Sequence, residues 1–132
     1  MIIGIGTDIC DARRIKKSIN DFEDRFVARI FTEAERSAAS KKADPTLYYA
    51  KRFAAKEAIY KALCASKISG RGWHDAEILN EADGSPSVRL SGQCKTALEA
   101  LTPDGYKAQL DLSLSDEPPY ALAFVVLSVL PD

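Results

Sequence analysis

The chain has 132 residues, 46% hydrophobic and 28% charged, which suits one domain with one hydrophobic core and excludes a disordered chain. No apolar run approaches the ~20 residues of a membrane helix, and "MIIGIGTDI" lacks a basic start and is interrupted by Asp8, so neither a membrane span nor a signal peptide is expected. The net charge of −1 is uneven: 13 Lys/Arg face 9 Asp/Glu over residues 1–61, and 5 face 10 over 62–132, so an acidic partner or a phosphorylated ligand would meet the first half.

Residues 1–9 read as a strand, with Ile2, Gly4, Gly6 and Asp8 on one face and Ile3, Ile5, Thr7 and Ile9 on the other. Glycines inside a strand often mark a close approach to the backbone, and here the glycine face ends in a carboxylate. Two short helices are expected over 11–19 and 21–30, with Asp11 and Asp21 as caps. A third begins at Thr32, where Glu35 three residues later makes a capping-box pattern. Asp44-Pro45 opens a long central helix over about 46–65. Strands follow in "WHDAEILNE" and "SVRL" around a turn at "ADGSP", then a helix in "GQCKTALEAL". Two last strands flank Pro118-Pro119, the first with Leu110, Leu112 and Leu114 on one face and Asp111, Ser113 and Ser115 on the other. Helices first and antiparallel strands later give an α+β class, a small antiparallel sheet packed on a long central helix. Cys10, Cys64 and Cys94 are odd in number and share no metal-ligand spacing, as in a reduced, cytoplasmic protein with small buried thiols. His74 beside Trp73 reads as a turn or strand residue, and one histidine without Cys/His partners makes no zinc site.

The central helix carries the unusual charges. At ~100° per residue, Ala54, Ala58 and Ala62 form one small-residue face, with Glu57 and Lys61 on its edge and apolar residues around most of the rest. A surface i,i+4 pair accounts for Glu57 and Lys61; so does a carboxylate held in a cleft as a metal ligand, with a lysine beside it for phosphate. Asp8 favours the second account, because two carboxylates with phosphate oxygens and water suit Mg²⁺.

"GIGTDI", "RFAAKEAIYKA", "DGSP" and "LSLSD", in that order and spacing, resemble the holo-[acyl-carrier-protein] synthases, the short bacterial phosphopantetheinyl transferases, over nearly the whole chain. The resemblance implies a single phosphopantetheinyl transferase domain over 1–132. It implies transfer of phosphopantetheine from coenzyme A to a serine of acyl carrier protein with Mg²⁺, in support of fatty acid biosynthesis. It also implies a homotrimer with sites between subunits, and neither nucleic acid nor membrane as partner. It carries metal binding onto Asp8 and Glu57, CoA phosphate binding onto Lys61 and Arg52, adenine-side contacts onto Gly84 and Pro86, and carrier docking onto Arg14 and Arg25. Asp8, Glu57 and Lys61 are then the catalytic set, and Glu57 or a water takes the serine proton.

The chain departs from the family pattern at three places. Asp116 stands where many members have histidine. "CASK", Cys64 to Lys67, replaces G-T-G-I, leaving Ser66 or Lys67 to supply that loop's phosphate contacts. Ser85 replaces a lysine between Gly84 and Pro86. Two other readings stay open: a metal-dependent nucleotide pyrophosphate hydrolase using the same carboxylates, and a non-catalytic CoA-binding module.

Overall fold

The computed structural model describes residues 1–70 and 72–132. In chain order the elements are β1 (Ile2–Asp11), α1 (Ala12–Phe22), α2 (Asp24–Ile30), α3 (Glu33–Ala39), α4 (Thr46–Ala62), β2 (Ala76–Asn80), β3 (Pro86–Leu90), α5 (Gly92–Leu101), β4 (Tyr106–Glu117) and β5 (Tyr120–Pro131), with 3-10 turns at Cys64–Ser66 and Trp73–Asp75. An antiparallel sheet in the order β1-β5-β4 lies against α4, and β2-β3 form a separate hairpin. The α+β expectation holds.

The sheet packs one face on α4 because its pattern alternates. Ala121, Ala123, Val125, Leu127 and Val129 of β5 are buried, and Leu110, Leu112 and Leu114 of β4 pack beside them. A register shift between Ile2 and Gly4 leaves Gly4, Gly6, Asp8 and Cys10 on the α4 side of β1. There the missing side chains matter: a Cβ on Gly4 would run into the Ala62 carbonyl oxygen, and one on Gly6 into that of Ala58. The two glycines and the alanine face of α4 let strand and helix backbones touch.

Several boundaries differ from the sequence reading, each for a local reason. Asp11 caps α1, its side chain accepting from Arg13 N–H, and Thr32 with Glu35 closes a capping box on α3. Asp21 does not cap α2. The break comes at Glu23, whose φ of 52° ends α1 without a side-chain cap, while Asp21 pairs with Lys17 at 2.6 Å. α4 stops at Ala62, short of 65, and the chain tightens into the Cys64–Ser66 turn before Lys67 takes a left-handed φ of 60°. Residues 73–75 form a 3-10 turn instead of opening a strand, because Asp75 folds its carboxylate back onto Gly72 N–H. Cys10 and Cys94 are buried free thiols, burial foremost pushing Cys10 up to about 11, whereas Cys64 is exposed.

Candidate active site

Where β1 crosses α4, Asp8 points at the helix from the end of the glycine face. Lys61, in the last turn of α4, reaches across and donates to the Thr7 carbonyl at 2.9 Å and to Asp8 Oδ1 at 3.2 Å. The Asp8 side chain is 18% exposed and that of Lys61 53%, so the carboxylate is sheltered while the ammonium is open to solvent. Lysine has three donors, and two of them are used here. Glu57 stands one turn before Lys61 and is half-buried. Burial holds its carboxyl above the ordinary value of 4.5, the nearby Asp8 charge pushes the same way, and Lys61 opposes them. Two neighbouring carboxylates set against one ammonium leave a place where additional positive charge is stabilising. Asp8 and Glu57 supply the hard oxygen donors that a divalent cation such as Mg²⁺ prefers, so the residues present fit such an ion.

The other expected residues form separate groups. Arg52 is 2% exposed and lies in the first half of α4, its guanidinium 3.8 Å from the Tyr48 ring centroid. Its Nη2 donates to Asn80 Oδ1 at 2.7 Å, while its Nε has no hydrogen-bond partner. Strand register pairs Asn80 with Pro86, so this bond ties the β2-β3 hairpin, with Gly84 at a φ of 89° in its turn, to α4. A concavity of about 240 Å³ beside them is lined by Lys42, Asp44, Leu47, Tyr48, Lys51 and Arg52, with Asn80. Helix geometry sets Arg52 about 140° around α4 from Glu57, so one chain does not bring the two groups together. Ser66 lies in the turn after α4, its hydroxyl accepting from Ile68 N–H. Asp116, at the end of β4, pairs with Lys51 at 2.9 Å.

The basic first half is thinner than its count suggests. Arg13 is engaged by Asp11 at 2.8 Å and Lys17 by Asp21. Among the described residues Arg14, Lys16, Arg25 and Arg29 are exposed and have no ion pair. Sequence reasoning missed a second charged pair altogether: Lys56 and Glu35, fully buried, meet at 2.8 Å. The signal was present, since Lys56 falls within the apolar stripe of Ile59 and Leu63, where an unpaired ammonium is costly.

The model of the family described as 4'-phosphopantetheinyl transferase superfamily matches residues 4–125. The chain belongs to that superfamily. It is 48% identical over 132 residues to a holo-[acyl-carrier-protein] synthase of Methylobacterium nodulans, covering all of both chains. Among solved structures, the holo-ACP-synthase of Plasmodium yoelii matches with a TM-score of 0.81 at 30% identity, over 100% of this chain and 98% of that one. The holo-(acyl-carrier-protein) synthase of Bacillus anthracis in complex with CoA (3',5'-ADP) matches at 0.74 and 34%, over 96% of each. The transferase thus carries the family fold along its full length. No helix among its described residues is long and apolar enough to cross a membrane.

Proposed function

We propose that the crossing of β1 and α4 is the transfer centre of a holo-[acyl-carrier-protein] synthase, which moves phosphopantetheine from CoA to a serine of acyl carrier protein and releases 3',5'-ADP. The observation that carries this is the meeting of Lys61 with Asp8 at 3.2 Å beside Glu57, made possible by glycines where any side chain would collide with α4. Asp8 and Glu57 would hold a Mg²⁺ ion, which when bound neutralises the pyrophosphate and polarises the phosphorus under attack. Lys61 aims its free donor at the phosphate oxygens and stabilises the charge that develops on the departing ADP. Glu57 is the group of this chain placed to take the serine proton, in its ionised form. The concavity around Arg52, Lys42 and Lys51 receives the phosphate and adenosine end of CoA, with Gly84 and Pro86 at its rim. The altered turn after α4 leaves Ser66 and Lys67 as that segment's polar groups toward CoA.

The outer sheet face favours assembly. Ile5, Ile9, Leu122 and Phe124 are 42–64% exposed on adjacent strands, a contiguous apolar patch of the kind that marks an interface. We assign it to a homotrimer, whose neighbouring copies would bring an Arg52 group of one chain toward the Asp8–Glu57 group of another. The unpaired Arg14 and Arg25 then face the acidic carrier.

The direct test is to incubate the protein with apo-acyl carrier protein, CoA and Mg²⁺ and weigh the carrier, which should gain one phosphopantetheine. Release of 3',5'-ADP at the same rate without carrier would instead identify a hydrolase.

A further inference from the structure

Lys56 is fully buried, a place that an ammonium tolerates only when its donors are used. Its three bonds go to Glu35 Oε1 at 2.8 Å, the Trp73 carbonyl at 3.0 Å and the Ala76 carbonyl at 2.5 Å. The equally buried Glu35 carboxylate also accepts from Thr32 N–H at 2.8 Å and Ile78 N–H at 2.9 Å. One charged node therefore binds four main-chain groups, from the start of α3 and from residues 73–78, and anchors them to α4. Replacing a buried ion pair with well-packed apolar residues is often neutral or stabilising, so stability does not account for this one. What apolar packing lacks is direction: it would not fix the main chain of 72–76 at one register along the helix.

That register matters because Lys56 precedes Glu57. Trp73, whose carbonyl Lys56 holds, stacks its ring on Phe53 with centroids 5.2 Å apart and planes 26° apart, and its centroid is 5.6 Å from that of Tyr60. The Tyr60 hydroxyl donates to the Gly72 carbonyl at 2.8 Å. Phe53 and Tyr60 stand four residues before and three after Glu57, the spacings that make helix surface neighbours. Residues 72–76 are thus strapped along α4 at three points, and the middle one adjoins the reacting carboxylate.

We propose that Lys56, together with Glu35, is a positioning residue for phosphopantetheine transfer: the buried node holds residues 72–76 on α4 so that Trp73, Phe53 and Tyr60 form a fixed wall along the flank of Glu57. It touches no reacting atom and acts through the main chain of the strap. The proposal rests on the reading of Asp8, Glu57 and Lys61 as the transfer centre.

Trp73 is the only tryptophan, so its emission reports the strap. The test compares wild type with the double variant Lys56→Met/Glu35→Gln, which removes both charges together, and with Trp73→Leu, which leaves the node intact. The double variant should unfold cooperatively, show a red-shifted and more readily quenched Trp73 emission, and lose about 30–100-fold in kcat with KM for CoA within about threefold, as expected when a catalytic group shifts by roughly an ångström. Trp73→Leu should lose about tenfold in kcat, again with KM little changed. A folded double variant overturns the proposal if it keeps wild-type kcat, loses only KM, or loses kcat with Trp73 emission unchanged. If the double variant does not fold, Trp73→Leu decides, and wild-type kcat in it overturns the proposal. Wild-type turnover separates the two readings: without it the transfer centre falls and this proposal with it, and with it the variants bear on Lys56 alone.

Discussion

Glu57 holds the most informative single charge in the molecule. Its carboxyl titrates above 4.5 because burial and then the Asp8 charge disfavour the anion, while Lys61 favours it. Between the ordinary value and the raised one, the folded chain binds a proton that the unfolded chain has lost. Ionising Glu57 therefore subtracts stability as pH rises through that window. A carboxylate-detected NMR titration should place Glu57 above 4.5 in wild type, lower in Asp8→Asn and higher in Lys61→Ala. Equal midpoints in all three proteins would mean that these groups are not coupled. If Glu57 takes the serine proton as proposed, kcat/KM should also fall on the acid side of this same raised pKa.

At the scale of elements, the contact between β1 and α4 builds the site. Gly6→Ala would set a methyl group against the Ala58 carbonyl and the main chain of Ala62, where nothing flexible can yield. It should cost about 1–3 kcal/mol in a urea melt and lower turnover as Asp8 is pushed from Lys61; wild-type stability would refute the close approach. This contact was legible in sequence because strand alternation put Gly4, Gly6 and Asp8 on one side, and the helical period put alanines opposite. The burial of Lys56 was legible in the apolar stripe around it, but its partner was not, because Glu35 sits on another helix and meets it only in the folded chain. Glu35 announced only its capping box. The end of α1 was misplaced for a related reason: Asp21 looks like a cap, but Lys17 four residues earlier takes its carboxylate, and a left-handed Glu23 makes the break.

At the scale of the whole molecule, the apolar outer face of the sheet and the unpaired arginines of α1 and α2 are two exposed surfaces of different chemistry. Burying Ile5, Ile9, Leu122 and Phe124 between copies would contribute on the order of 1 kcal/mol each. On the proposed assembly, Phe124→Asp should therefore sediment as a monomer with little turnover, and wild type should sediment as a trimer. An active wild-type monomer would remove the assembly from the account. Arg14→Glu should lower kcat/KM for the carrier by slowing association, with little change in CoA binding. The wild-type rate at low carrier should fall as salt rises, since surface charges are screened beyond ~8–10 Å; no salt effect and equal carrier dependence in both proteins would leave these arginines a solvated surface. The most direct test of the transfer centre is the rate at which apo-acyl carrier protein gains the mass of phosphopantetheine with wild type, Asp8→Asn and Glu57→Gln at limiting Mg²⁺. The account predicts steady conversion by wild type and the loss of most turnover in each folded variant, and near-normal conversion by either variant would contradict it.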